Sequence, residues 1–526
     1  MGGSFYLNFF AVSTLIPLLF LALAAIYLAR IPSASRPTRI LAAHFSTIAL
    51  YYALVFLKSA FLDERLSNLR FLEAWPILLS YPFFLHFVGA FPVDRPSRLA
   101  KWLARPMLLI AIVVGVYGNI AAVSGEAVFR YDGHYWDLEL DEVGKIVGLI
   151  MLLMVGVVYF FLIRRVIVLS GRERAGMAGI ALGMLVASFI PFVTNILMFD
   201  GGISRETHHL IVNLSVTLGF FAIFIVYINV TGDRTGLLAR IVGISLAAFF
   251  VLMQLIAFST LGERESAFDR DHDARSRLLA RGGAEPADLR YFVKYSAAGN
   301  PHEVWRDLRY QAAPENHPRD IRAALDPDLM LATRAAPAAP RRIYRTAVGG
   351  FEAGAFIAYL IPTADGGFAE IGYDYFAYRE FIHAGARNLI YIVLGGIVFF
   401  LIGFRMFFFG TLIAPLNSLL HGVRNVNRGD LDTHLPVKVE DEIGFLSRSF
   451  NGMIESIRAK EAQLTAHAAE LEDRVRARTI DLQNSLDEIQ TLKKQQDGDY
   501  YLTSQLLKPL GENRVQENGV RVDFLV

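Results

Sequence analysis

Residues 415–457 read PLNSLLHGVRNVNRGDLDTHLPVKVEDEIGFLSRSFNGMIESI, two apolar stripes divided by one glycine. After Pro415, the residues Leu416, Leu419, Val423 and Val426 recur at steps of three, four and three. That spacing puts them on one face of a helix and suits a helix–helix seam. Gly429 predicts the stop, because a residue without Cβ takes the left-handed C′ conformation freely. Asp430 and Leu431 lead into a connector holding Leu435, Val437 and Val439. Asp441 then caps a second helix with Glu442 in its first turn, where the helix dipole favours a carboxylate. Ile443, Leu446, Phe450, Met453 and Ile457 resume the seam, and Leu464, Ala468, Leu471, Val475, Leu482, Leu486 and Ile489 extend it through about residue 495. The stretch from Ile457 to Gln496 predicts a rod of roughly 60 Å at about 1.5 Å per residue. A sustained apolar seam must be buried, so a second copy running parallel is expected to cover it.

Upstream of this stretch the chain changes character. Of 526 residues, 54% are apolar and 19% charged, with mean hydropathy +0.39, so the apolar excess belongs in lipid. Nine segments are long enough to cross a hydrocarbon core, near 8–29, 40–57, 74–93, 106–124, 146–163, 177–199, 210–230, 237–261 and 386–404. Alternate connections carry thirteen basic residues, among them Arg30, Arg36, Arg39, Arg95, Arg98, Arg164, Arg172, Arg234 and Arg240, against six in the intervening short loops. The basic loops are expected in the cytoplasm. Residues 1–29 hold no Lys or Arg, so the first helix should remain, with the N-terminus outside and the C-terminus cytoplasmic. The acidic loop from Glu126 to Glu142 then lies outside.

The 125-odd residues from Gly262 to Ala386 are polar and proline-rich, and form an extracytoplasmic module. Glu263–Arg281 reads as a polar helix continuing from the membrane, and 335–340 as a linker. Arg342–Val348, Ala355–Ile361 and Phe368–Tyr375 alternate like strands, with turn chemistry at Pro362, Asp365, Gly366 and Gly367. This order of long helix, sheet and second membrane helix resembles the PAS-like, Cache-type sensors of bacterial receptors. Tyr359, Tyr373, Asp374, Tyr375, Tyr378 and Arg379 are candidates to line a ligand pocket, although alternate aromatics on a strand more often form its core.

Pro415, Gly429-Asp430-Leu431, Asp441-Glu442-Ile443-Gly444 and Phe450-Asn451-Gly452-Met453 directly after a membrane helix resemble the HAMP signal-relay domain. The resemblance implies a parallel four-helix bundle built by two subunits, with Pro415, Leu416, Leu419, Val423, Val426, Gly429, Asp441, Glu442, Phe450 and Met453 in the relay. Gln495–Thr503 with Leu507-Lys508-Pro509-Leu510 is similar to the lead-in of sporulation-type, metal-dependent serine/threonine phosphatases, and Val520–Val526 to their first strand. About 30 residues are too few for such a catalytic core, so no catalytic residue is assigned, and the tail is alternatively an unstructured end. Mg or Mn is expected only where a phosphatase domain follows.

The expected fold is mainly α: a polytopic bundle of about nine membrane helices, a small α+β PAS/Cache-like module, and HAMP plus parallel coiled coil. Its parts are a seven-helix membrane block at 1–235, an eighth membrane helix at 236–261 and the sensor-like module at 262–386. A ninth membrane helix at 387–404 precedes HAMP at 405–458, the signalling coiled coil at 459–496, and a remnant or start of an output domain at 497–526. The function expected is a bacterial inner-membrane receptor, a homodimer relaying an unknown small-molecule or lipophilic stimulus. A solute transporter with a regulatory tail and a partner-recruiting scaffold are the alternatives.

Other chemistry is disfavoured. Net charge +1 offers no field for nucleic acid, and the absence of cysteine excludes disulfides and thiolate-held metals. His467 lacks the neighbours of a phospho-accepting histidine box, and no membrane segment carries a central charge of the kind a transporter uses. A His44/His86 pair could ligate metal only if their helices face each other. Pro76, Pro82 and Pro92 could kink the third helix.

Overall fold

The computed structural model describes residues 5–92, 96–122, 125–139, 141–233, 237–306, 325–337, 339–347, 350–437, 441–511, 516–517 and 520–521. Arg95, Arg234, Val348, Val439 and residues 522–526 of the sequence expectations lie outside them. The chain divides into two compact units, 1–407 and 408–526.

In the first unit the apolar segments become α1 (Phe9–Ala29), α2 (Arg36–Ala60), α3 (Leu69–Ala90), α4 (Arg98–Ala122), α5 (Asp141–Val168), α6 (Gly171–Phe199) and α7 (Arg205–Val230). A helix satisfies its own backbone groups, which is what a segment in hydrocarbon requires. Neighbours in sequence pack together, and α7 returns to α1, closing a seven-helix ring around Phe45, Phe84, Phe220 and Tyr227. Backbones touch where α6 meets α7, since a Cβ on Gly183 would stand 2.7 Å from the Gly219 carbonyl oxygen. Pro76 and Pro82 lie inside α3, whereas Pro92 follows its end. Among the described residues, nine helices are long and apolar enough to cross a membrane.

Short polar connections sort to two ends. At one, Asp233 accepts from the Ser35 amide (3.2 Å) and from the Thr38 hydroxyl, and Arg165 donates to the Phe91 carbonyl at 2.6 Å. At the other, the Tyr6 amide donates to Ala60 (2.8 Å), and the 4–5 connection folds as a hairpin of β1 (Glu126–Arg130) and β2 (Tyr135–Glu139). Sequence reading took that stretch as an acidic loop. Lys58 of α2 anchors it from beneath, paired with Glu73 at 2.9 Å and 3.8 Å from Asp137 of β2.

The same end carries the module between the eighth and ninth helices. α8 (Leu237–Ala280) runs 44 residues, so the membrane helix and its polar extension are one element. Then come β3 (Leu289–Tyr295), β4 (Pro301–Arg306), α9 (Pro327–Ala335), β5 (Arg342–Ala347), β6 (Gly350–Pro362) and β7 (Phe368–Asp374), in an antiparallel sheet of order β4-β3-β7-β6-β5. The sequence showed three of these five strands. β3 and β4 were hidden by surrounding charge and proline, although Leu289, Tyr291, Val293 and Tyr295 alternate cleanly as buried positions. Ile357, Tyr359, Ile371 and Tyr373 face α8 and α10 (Tyr375–Val398), and Phe356, Leu360, Tyr291 and Phe368 build the opposite face. Tyr375 opens that helix and does not end a strand, because the Asp374 side chain accepts from the Phe376 amide at 2.8 Å and starts it there.

Buried at the centre of β7, Glu370 accepts from Tyr291 (2.7 Å), Tyr295 (3.0 Å) and both Arg345 nitrogens (2.9 Å each). Such a carboxylate fixes sheet register, and removing it strands the guanidinium. Glu370→Leu should lower stability by about 3 kcal/mol or more. Adding Arg345→Leu should restore most of it, which chemical unfolding of the single and double variants measures.

Candidate functional site

In the chain the π-helical turn Phe399–Phe404 and α11 (Arg405–Phe408) lead to the second π-helical turn, Phe409–Ile413. The second unit then forms a helical hairpin of α12 (Ala414–Val426) and the start of α13 (Glu442–Gly511). Gly429 sits at φ +90°, its amide on Val426 (2.9 Å) and the Asp430 amide on Asn425 (3.1 Å), closing the α12 carbonyls in a Schellman pattern. Asp441 accepts from the Gly444 amide at 2.9 Å, capping α13 as its sequence position requires.

Between the helices, Leu435 of the connector packs with Phe450 and Ile454, flanked by Leu419, Val426 and Leu431. Gly422 admits this closeness, since a Cβ there would lie 3.0 Å from the Phe450 ring. Asn451 holds the connector in place. Its Oδ1 accepts from the Leu435 amide (2.9 Å) and its Nδ2 donates to the Leu435 carbonyl (3.0 Å), as a neighbouring strand would. Sequence reading placed Asn451 in a motif string and gave it no role.

The seam residues divide. Phe450 is buried within its own hairpin, while Val423, Leu446, Met453 and Ile457 stay exposed as a second stripe, with Leu446 and Met453 each at 47%. Pro415 lies in the first turn of α12, Leu416 is half-buried, and Glu442 is exposed on the first turn of α13. Residues 407–459 match the HAMP domain family. The hairpin is a HAMP domain. No curated protein matches the chain. A HAMP domain in a chain with nine span-length apolar helices among its described residues marks a multi-pass membrane receptor of signal transduction. The helix leaving the HAMP continues without a break to Gly511, past the expected end near 496, so 497–511 is more rod.

A second site lies at the sheet-bearing end of the first unit, a cavity of about 640 Å³. The β1–β2 hairpin lines it with Phe129, Arg130, Tyr131, Asp132 and His134, the start of α7 with Ser204, Arg205 and Glu206, and β5 with Arg342 and Tyr344. The sequence candidates Tyr359, Tyr373, Tyr375, Tyr378 and Arg379 are buried beside it and are not among its lining residues. Tyr359 donates to Asp269 (2.7 Å), Tyr373 meets Ser276 (3.0 Å), and Arg379 donates to the Tyr6 carbonyl (3.0 Å). Tyr378 donates to Glu265.

His134 joins these layers, with Nδ1 2.8 Å from Tyr375 Oη and Nε2 3.8 Å from Glu265. Burial pushes its pKa down to about 4 against the pull of Glu265, and Arg379 and Arg342 add to the lowering. His44 and His86 do not meet as a ligand pair: His44 bonds the Ser80 carbonyl (3.0 Å) and His86 faces Arg36 (3.2 Å).

Asn451→Ala should destabilise the HAMP hairpin by about 1 to 3 kcal/mol by leaving the Leu435 backbone unpaired, read as faster amide exchange at Leu435. For His134, the unfolded chain takes up a proton below about 6.5, while the native ring resists until about 4. Stability should therefore fall as pH drops through that window. His134→Gln should flatten the fall in unfolding midpoints measured across it.

Proposed function

We propose that the protein is a homodimeric receptor of a bacterial inner membrane, its sheet-bearing end outside and its HAMP domain in the cytoplasm. The observation that carries this reading is the second apolar stripe. A single HAMP hairpin closes on Phe450, Ile454 and Leu435, yet Val423, Leu446, Met453 and Ile457 remain in water. Leu464, Leu471, Val475, Leu482, Leu486 and Ile489 continue such exposure down α13. A 70-residue helix with so little packing of its own gains its stability from a partner, and a second copy inserted in the same membrane runs parallel.

Orientation follows from the basic residues. Arg30, Arg36, Arg39, Arg164, Arg172 and Arg174 belong to connections at the end opposite the sheet, and the positive-inside rule places that end in the cytoplasm. The five-stranded sheet packed on the long extension of α8 supports a PAS/Cache-like sensor. The stimulus is then a ligand of that end, and a change in α10, which leads in the chain to HAMP, shifts helix packing in the dimer. The similarity of 495–510 to the lead-in of serine/threonine phosphatases supports an output of that type, with Mg or Mn belonging to that domain alone.

Single cysteines test the dimer cleanly in a chain that has none. Leu446→Cys, Met453→Cys and Ile457→Cys should cross-link between copies in native vesicles, and Arg448→Cys and Phe450→Cys should not. Equal cross-linking at all five, or none at any, overturns the paired bundle.

A further inference from the structure

We propose that the last turn of α3 and the cationic side chains gathered on it form a binding site for the anionic phosphodiester headgroup of a phospholipid. None of its residues belongs to the sheet module or to HAMP, so the site does not rest on the receptor reading.

Three neighbouring helices bring cations to that turn. From α2, Arg36 donates to His86 Nε2 at 3.2 Å, so the imidazole is the acceptor of the pair. From α4, the Lys101 stem lies against the α3 backbone, since a Cβ on Gly89 would stand 3.2 Å from Lys101 Cγ. From α5, Arg165 donates to the Phe91 carbonyl at 2.6 Å, directly after the helix ends. Arg105, one turn beyond Lys101 on α4, is a further charged neighbour of His86, and Lys101 has both Arg36 and Arg165 as charged neighbours. Residues 86–90 themselves carry no acidic side chain.

Little within the protein offsets this charge. The C-terminus of α3 presents the negative end of a helix dipole, equivalent to roughly half a charge. Glu173 is a carboxylate neighbour of Arg165, but among the described residues none is paired with Arg36, Lys101 or Arg105. Arg165 is only 7% exposed, yet its Nε lacks a hydrogen-bond partner. A buried guanidinium with an orphaned donor, next to an ammonium group and a second guanidinium, suits a phosphate, whose oxygens accept several charge-assisted hydrogen bonds at once.

The surface beside the cluster identifies the carrier of that phosphate. Trp102 and Leu99 of α4 are 64% and 49% exposed, and Leu109 and Ile110 continue the exposed apolar surface along the same span-length helix. Acyl chains cover such a surface, and a tryptophan at its start marks the depth of the headgroups. Basic pockets between membrane helices hold anionic headgroups at that depth. A free phosphate ion would gain nothing from Trp102 and Leu99.

Native mass spectrometry of the full-length protein, delipidated in a neutral detergent, tests this with two lipids of equal chain length. They are dioleoylphosphatidylglycerol and dioleoylphosphatidylcholine, the second of which brings its own cation. Phosphatidylglycerol should bind about ten-fold more tightly or better. Arg36→Gln/Lys101→Gln should bring the two lipids within about three-fold of each other, and Lys101→Gln alone should fall between. The lipid-free unfolding midpoint should stay unchanged or rise, because a repulsion between cations is gone. Arg30→Gln/Arg174→Gln removes the same charge from exposed positions elsewhere at that end and should leave the preference intact. Equal binding of both lipids by the native chain overturns the proposal, as does a preference that survives in the Arg36/Lys101 pair or falls equally in the Arg30/Arg174 pair. Displacement of phosphatidylglycerol by an equal concentration of inorganic phosphate overturns the lipid as carrier.

Discussion

One buried histidine ties together three parts of the first unit that are distant in sequence. His134 stands at the tip of the hairpin between α4 and α5, and its ring reaches Tyr375 of α10 and Glu265 of α8. A hairpin of two five-residue strands is marginal alone in water. Here Lys58, Glu73 and Asp137 hold its base, while His134 and the Phe129 and Tyr131 rings hold its tip against the sheet module. Because buried polar groups are costly when unpaired, such a junction has few alternatives near its energy, and a disturbance at one member is felt by the others. The cavity opens beside this junction, so its shape depends on how hairpin, α7 and β5 are held.

HAMP presents the complementary situation. Inside one hairpin the polar connector is satisfied, since Asn451 answers the Leu435 backbone, Gly429 closes α12 and Asp441 caps α13. What one chain leaves open is apolar. Exposed stripes along α12 and α13 cost free energy roughly in proportion to their area, and only another helical surface covers them without new polar demands. In the proposed paired bundle, smooth apolar stripes with the polar bonds kept inside each subunit would let rotation or offset change at little cost. That property is what a relay needs.

The sequence made the second unit legible and much of the first opaque, for one physical reason. Gly429, Asp441 and the three-four spacing act locally, so they can be read without knowing the fold. The nine apolar segments are legible likewise, because hydrocarbon thickness sets their length. The cavity residues are not. Arg130 and His134 share one hairpin, but Glu206 and Arg342 lie scores of residues away from it and are brought to it only by closure of the helical ring and packing of the sheet module. Tyr375 and Tyr378 were noticed for their aromatic character, but their place on a helix was set by Asp374 as a cap, a signal that strand-like alternation before it concealed. The second apolar stripe on α13 was read as one seam with Phe450, and only the hairpin's own packing separates the two.

A relay also needs the stimulus to discriminate between states. A ligand that binds two arrangements equally moves no population, and passing from 1:99 to 99:1 takes about a 10⁴-fold difference in affinity. A site inside one rigid module changes little when modules move, so its differential affinity is small. A cavity whose walls come from the start of α7, the hairpin and β5 is different. Displacing any one wall by an ångström or two changes the shape of such a cavity, so affinity and arrangement would be linked. The two π-helical turns in the chain after α10, Phe399–Phe404 and Phe409–Ile413, fit the same logic, because a wider turn lets a helix change register without losing its hydrogen bonds. In the proposed receptor, sensing at a junction and transmission through apolar stripes are thus two uses of one principle: polar contacts fix the states and apolar contacts allow movement between them.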